Sequence, residues 1–593
     1  MVVADPPDAA ALDRPWVRSY PPGVPPEYHL PAVAVTRFLD DAVRDFPRRD
    51  ALVTPKETVD YATLAGRVDD VAEALADAGI EAGARVLVAL PNHAATPVAL
   101  FALWRRAAVV VPVDPSSPPE WLAAVAHDAG VGAVLGTGHV LSTLRAKDLA
   151  ATTWLQVDGA GWRAYATWTG SGPVRVLAAG RGMGWIGRSR FARAREHPSA
   201  PHGDGDDRRS GHAPLQLAEA LHPAPQQREP GLSTPASRDA QPDDAAVILY
   251  DTADPDPHGI VYSHANLVAS AFQARLWIPD IQAGRERVLI ADRFHDLTAL
   301  SLGLLTAVLA AGTILLADEP DVAALARAIE RGRPTLLTTR SHRLESIVTD
   351  RDGARRDLTS LRVVLACGPP VHRELVVGFE RLTDGARLRG CFGVAGAGPI
   401  THAQPVYGRV DPGSLGLPVT STVAAVVDPR DLATLRQPGV PGVLLLSGPQ
   451  VASGLRPRDA TGAARLVGDW LVTDDLVTVD DDGTFRYVGR RHEVIERTGV
   501  VISPRQVEAV LEYHTGVRQA AVVLSPDGAL LLAAVVTRRR SRPEPHALLE
   551  YCRAHLDSPA VPDRVIVVPS LPSTEAGELD SDELSRDLAS RLS

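Results

Sequence analysis

Lysine is nearly absent from this 593-residue chain: of 61 basic residues only Lys56 and Lys147 are lysine, and none follows position 147. Chemistry that needs a compact, mobile ammonium is therefore excluded from the rest of the chain, because the planar arginine fork is not its equivalent. Cysteine is almost as scarce. Cys367, Cys391 and Cys552 show no CxxC spacing, which leaves no disulfide framework and no zinc site and fits a reducing compartment. No run of 18 or more apolar residues occurs, so no membrane span is expected. The start, Met-Val-Val-Ala-Asp-Pro-Pro-Asp, lacks a basic segment followed by an apolar one, so no signal peptide is read. A net charge of −11 and a pI near 5.9 argue against nucleic acid as a partner. The expectation is a cytoplasmic protein, peripheral to a membrane at most.

The chain does contain ample material for a core, with 45% apolar residues, in more than one domain. A proline-rich opening, Arg14-Pro-Trp-Val-Arg-Ser-Tyr-Pro-Pro-Gly-Val-Pro25, reads as extended. A helix around Val71–Ala78, a strand from Arg85 to Leu90, a helix at Val98–Ala107 and a strand Val109-Val-Val-Pro-Val113 then alternate. This alternation predicts an α/β fold with a mostly parallel sheet. Further strands are expected at Arg287–Ala291, Pro334–Thr339 and Leu361–Leu365. Between residues 159 and 243 Arg, Gly, Pro, His and Ser dominate and periodicity fades, as in a variable insertion. The formal GxGxxG inside it, Gly182-Met-Gly-Trp-Ile-Gly187, is followed by Pro198 and Pro201. A dinucleotide fingerprint needs a full helix there, so no dinucleotide is assigned.

Near the middle, Tyr250-Asp-Thr-Ala-Asp-Pro-Asp-Pro-His-Gly259 leaves the apolar run Ala245–Leu249 and precedes a helical pattern from Ala265 to Phe272. Strand, loop, helix is a geometry that holds phosphate on backbone N–H groups. The residues are unfavourable to a triphosphate, however. No glycine lies between Tyr250 and His258, Pro255 and Pro257 lack a donor, and Asp251, Asp254 and Asp256 repel an anion. At an effective dielectric near 20, each carboxylate about 5 Å from a phosphate charge costs roughly 3 kcal/mol. Asp254, Asp256 and His258 could instead ligate a metal, or the segment is a solvated acidic turn.

The frame of this loop, Tyr250, Pro257, Gly259 and a following His264, resembles the phosphate loop of the AMP-forming acyl-activating family (acyl-CoA ligases, adenylation domains and luciferases), and the resemblance places Thr252 at the nucleotide. That loop runs roughly Tyr-Thr-Ser/Gly-Gly-Thr-Thr-Gly-x-Pro-Lys-Gly, and His258 stands where the lysine is expected. The proline-rich opening is similar to that of bacterial long-chain fatty acyl-CoA ligases. Phe294-His295 resembles a motif whose histidine lies near the acyl pocket. Ala366-Cys-Gly-Pro-Pro-Val371, with Gly368, resembles the adenine-contacting turn. Phe392-Gly-Val-Ala-Gly-Ala-Gly-Pro-Ile-Thr-His402 matches Tyr-Gly-Leu-Thr-Glu-Ala-Ser-Pro-Val-Thr-His in length. The resemblance places Phe392 and Gly393 at the purine and Gly396 at the magnesium-binding glutamate. Gly442–Val451 is similar to a Gly-Glu-Leu stretch, with Val443 in place of the acid. In Asp469-Trp-Leu-Val-Thr-Asp-Asp-Leu476, Asp475 falls on the ribose carboxylate. Phe485–Ile495 is similar to the hinge segment, with Gly489 at the hinge, Arg490 on the phosphate side and Glu493 a second acid. Leu571–Asp580 matches Leu-Pro-x-Thr-x-x-Gly-Lys-x-x-Arg, with Glu578 at the catalytic lysine.

The resemblance implies an α/β fold: a large N-terminal AMP-binding domain (1–488) of two α/β sheets plus a distorted β-barrel, a hinge at Gly489, and a small α+β lid (490–593). It implies ATP, magnesium and coenzyme A as cofactors if the family's reaction survives. A hard cation needs an oxygen ligand that Gly396 lacks, and losing one electrostatic donor such as the lysine costs about 10²–10³ in rate. The expected function is therefore a degenerate acyl-CoA-ligase-like protein that binds an acyl group or nucleotide in a regulatory or scaffold role, with a fatty-acyl ligand, an acyl thioester or a protein as partner. The alternatives are an active ATP-dependent long-chain ligase and an ATP-independent acyl transferase using His295 as base.

Overall fold

The computed structural model describes residues 6–145, 153–158, 161–166, 239–251, 257–317, 322–349, 355–368, 370–408, 410–456, 465–491, 494–497, 500–538, 542–556, 558–572 and 580–591. Thr252, Asp254, Asp256, Glu493, Glu578 and the glycine-rich Gly182–Gly187 lie outside them, as does most of the 159–243 segment. Its beginning is regular: Gly161–Ala166 forms an antiparallel strand against Thr153–Asp158.

Two large sheets carry the N-terminal part. One has eight strands and a parallel centre in which Arg85–Ala89 lies between Val109–Pro112 and Ala133–Gly136. The other has nine, with Arg287–Ile290, Leu336–Arg340, Val363–Cys367 and Arg387–Val394 running parallel side by side. Side chains alternate across each strand, and the cores follow that period. Val86 and Val88 join Val288 and Ile290 in one central core, whereas Leu87 and Ala89 face an outer core of the first sheet and Leu289 an outer core of the second. The layer between the sheets holds the helices Ala95–Arg105 and His264–Trp277, which are buried nearly all round. A helix apolar on every side can sit nowhere else.

The region expected as a barrel is a six-stranded antiparallel sheet in which Trp470–Val479 pairs with Gly442–Ser447 on one side and Phe485–Arg490 on the other. Val443 is fully buried there. A smaller C-terminal domain follows, with a hairpin (Ile495–Arg497 and Val500–Ile502), a three-stranded sheet and helices Pro504–Tyr513, Pro545–His555 and Ser581–Ser590. The proline-rich opening is docked rather than loose. Trp16 is buried edge-on against Phe485, and the Tyr20 hydroxyl donates to the Pro418 carbonyl at 2.6 Å. Gly483 makes room for it, since a Cβ there would lie 2.4 Å from the Trp16 nitrogen.

Candidate nucleotide and acyl site

Parallel strands deliver their loops to one edge, where ligands of α/β folds bind. Here the C-terminal edges of the two large sheets meet. The Asn92 side-chain amide, just past Arg85–Ala89, donates to the Asp292 carbonyl, just past Arg287–Ile290, at 2.8 Å. Arg293 pairs with Asp114 at 3.3 Å. His295 and Asp296, Arg340, Cys367 with Gly368, and Cys391 with Phe392 complete this rim. Its charges are matched one to one: Arg293 with Asp114, Arg340 with Asp296 and Arg343 with Asp292. Burial pushes the Asp292 carboxyl up to about 6, opposed by Arg343. Burial also lowers the His295 imidazole, while Asp114 and Asp296 oppose that shift. Nδ1 of His295 is buried without a hydrogen-bond partner. Of these rim residues, motif and spacing single out His295, Gly368 and Phe392. Asp114, Asp292, Arg340 and Arg343 went unrecognised, although each lies at or just beyond the end of a parallel strand.

The phosphate-loop frame has a packing explanation. Tyr250 is buried, and its hydroxyl donates to Asp128 at 2.5 Å. A Cβ on Gly259 would lie 2.8 Å from that hydroxyl and 3.0 Å from Ile248. Asp251 is exposed and His258 half-buried. The expected strand–loop–helix order is corrected by an intervening strand, Gly259–Ser263, which returns antiparallel along Ala245–Leu249. The helix that follows has no first-turn amide to offer. Ser263 and Asn266 cap each other, and the amides of His264 and Ala265 donate to the carbonyls of Asp244 and Pro242. Helix N-termini bind anions through such amides, so this one does not. His264 is fully buried, and burial holds its imidazole down to about 4.

Gly396 lies in a tight turn between Arg387–Val394 and Gly398–Ala403, with φ of +92°. Its N–H donates to the Tyr262 hydroxyl at 2.9 Å, and its carbonyl accepts from Ala452 N at 2.7 Å. Gly393 is equally constrained, since a Cβ would fall 2.4 Å from the Pro399 carbonyl oxygen. Phe392 is 9% exposed, with Tyr487 5.9 Å and His402 6.1 Å from its ring. Gly368 is exposed at φ +115°, its N–H on the Cys391 carbonyl. The magnesium implied by the resemblance does not fit this turn: residue 396 has no side-chain oxygen, and its carbonyl oxygen already accepts from Ala452 N. No step is derived through that ion.

Asp475 is half-buried within Trp470–Val479, opposite Arg490 and near Gly489 in the paired strand. The Tyr487 hydroxyl donates to its Oδ1 at 3.4 Å.

The sequence profile of the AMP-binding enzyme family matches residues 39–455, and that of its C-terminal domain matches residues 506–578. The chain belongs to the AMP-binding enzyme family. A long-chain-fatty-acid–CoA ligase of Bacillus subtilis (strain 168) is 24% identical over 95% of this chain and 96% of its own. A feruloyl-CoA synthase of an Amycolatopsis species is 28% identical over 91% of this chain and 98% of its own. Among solved structures, ATP-bound MatB from Rhodopseudomonas palustris superposes with a TM-score of 0.71 at 19% identity, covering 95% of this chain and 100% of that one. The anthranilate CoA ligase AuaEII with anthranoyl-AMP gives 0.72 at 18% identity, covering 95% and 98%. These structures share the AMP-binding fold described above: a large N-terminal domain of stacked sheets and a small C-terminal one. No helix among the described residues is long and apolar enough to cross a membrane.

Proposed function

We propose that this AMP-binding family member is an acyl-CoA-ligase-like protein that no longer carries out ordinary ATP-dependent adenylation and keeps an acyl or nucleotide pocket for a regulatory or scaffold role. One observation carries the reading. At the position that aligns with the magnesium-binding glutamate stands a glycine whose +92° φ and occupied N–H build the turn itself. An L side chain there meets the steric penalty of the left-handed region. The acidic loop and Glu578, at the position of the catalytic lysine, point the same way. So does the one-to-one pairing of Arg293, Arg340 and Arg343 with aspartates, which leaves those three cations without surplus charge for a polyphosphate. In this reading Phe392, Gly393, Gly368, Asp475 and Arg490 face the nucleotide. The domains divide near Gly489, with 1–488 before the hinge and 490–593 after it.

The test is pyrophosphate release from ATP and magnesium across a panel of fatty acids, with the Bacillus subtilis relative run in parallel. The expected rate is at least about 10²-fold below that relative, whereas palmitoyl-CoA or AMP raises the melting midpoint. Release at a comparable rate overturns the reading. A second reading, acyl transfer from an activated thioester, is favoured by the unpartnered Nδ1 of His295 in a group that burial keeps neutral. It requires deacylation of palmitoyl-CoA without ATP, and loss of that activity in His295→Ala.

A further inference from the structure

Val363–Cys367 and Arg387–Val394 are neighbouring parallel strands in which Cys367 stands directly opposite Cys391. Residues in register on parallel strands point to the same face, and both thiols enter the central core. Their sulfurs are 2.6 Å apart, well inside the van der Waals separation of two sulfurs. The backbone needs no rearrangement to join them. Paired strands lie about 4.8 Å apart, within the roughly 4.4–6.8 Å Cα window of a disulfide, whose S–S bond is about 2.05 Å. Each cysteine also immediately precedes a residue of the rim, Gly368 after Cys367 and Phe392 after Cys391, and the Gly368 N–H already donates to the Cys391 carbonyl. Cys552 is buried separately, in the core of the C-terminal domain.

We propose that Cys367 and Cys391 form a dithiol modification site, oxidised by a peroxide to an intramolecular disulfide that staples the two strands together at the edge of the ligand crevice. Cys367, at the strand end and the more exposed of the two (6% against 2%), attacks first. Its sulfur displaces water from hydrogen peroxide and becomes a sulfenic acid. The Cys391 sulfur then displaces the second water and forms the S–S bond, so two thiols and one peroxide give one disulfide and two waters. The S–H···S contact with Cys391, and then burial, hold the Cys367 thiol well above its ordinary range, so the reaction accelerates as pH rises. A disulfide of this kind in a reducing compartment is transient and responsive rather than a structural staple. Any effect of the staple on ligand binding rests on the proposed function; formation of the bond does not.

The experiment uses the full chain, reduced with dithiothreitol, desalted, exposed to hydrogen peroxide while folded, then denatured. Free thiols are expected to fall from three to one, with a loss of 2 Da in intact mass. Tryptic peptides starting at Val363 and Gly390 should be joined, and Cys552 should remain free. Cys367→Ser and Cys391→Ser should each abolish the link. Three remaining thiols, sulfinic acid on either cysteine without a crosslink, or a crosslink between chains would overturn the proposal. Since the mass readout is made on the unsubstituted chain, it decides the matter even if a variant fails to fold. Thiol counts that follow this pattern in a protein that also releases pyrophosphate would overturn the proposed function and uphold the dithiol site.

Discussion

Asp475 and Gly396 sit on opposite kinds of backbone. The first carries a carboxylate on a regular strand; the second carries no side chain at a tight turn. Asp475 sits in the middle of an extended strand, half-buried, opposite Arg490, where the backbone accepts any residue that tolerates β geometry. Gly396 sits at the apex of a hairpin at φ +92°, its N–H bound to the Tyr262 hydroxyl and its carbonyl to Ala452. Burial and the carboxylate of Asp296 raise that tyrosine to about 12, against the opposing backbone contacts, so it stays a neutral hydroxyl able to accept. A side chain is thus easy to accommodate where backbone conformation is ordinary. It is hard to introduce where the surroundings are built around glycine.

That contrast can be tested first by repair. Gly396→Glu combined with Glu578→Lys should remain at least about 10²-fold below the Bacillus subtilis relative in pyrophosphate release. Gly396→Glu alone should lower stability by roughly 1–2 kcal/mol, read from denaturant midpoints. A stable, active double variant would show that the hairpin can accept the carboxylate. Next, Gly259→Ala should cost about 1–3 kcal/mol through the clash with Tyr250 and Ile248, with little effect expected from Pro257→Ala. If Gly259→Ala is neutral, the packing account of the surviving loop frame is wrong.

A third test concerns His402, fully buried in the second strand of the hairpin, where burial holds the imidazole down to about 3. The unfolded chain binds that proton near pH 6.5, so stability rises with pH between about 3 and 6.5 and is lost as pH falls through that window. From pH 6.5 to 5 the loss is about 2 kcal/mol, on the order of 1.4 kcal/mol per unit. His264 adds to it with the same sign. Asp292, raised to about 6, opposes them, since a raised carboxyl binds its proton in the folded state first. His402→Phe should flatten the acid limb of a urea-denaturation series; an unchanged slope counts against this account. Smallest of all, Asp475→Asn should change stability by less than about 0.5 kcal/mol while weakening AMP binding measured by calorimetry. Unchanged AMP affinity would remove Asp475 from the nucleotide site.

Much of this was legible in the chain. Apolar runs of four to six residues separated by helical patterns specify an α/β fold wherever they occur, because a strand buried on both faces must be apolar throughout. A turn after a strand was readable in Phe392–His402, whereas the place of Asp475 inside the strand Trp470–Val479 was not, because Asp474-Asp475 reads as an acidic turn. The strand Gly259–Ser263 escaped notice because Gly-Ile-Val-Tyr-Ser is too short to separate from the helix it leads into.

What sequence alone determined is the fold class and the loss of particular donors: a chain without lysine after position 147 cannot supply an ammonium there, whatever its shape. Tertiary structure decided everything that depends on simultaneous neighbours. The pairing of three arginines with three aspartates, the +92° turn at Gly396, the capped helix after the loop and the 2.6 Å approach of Cys367 to Cys391 join residues from 3 to more than 170 positions apart. Local propensity acts within a turn of chain, whereas charge compensation, close packing and thiol contact act through space, and only the folded arrangement of the two sheets brings those partners together.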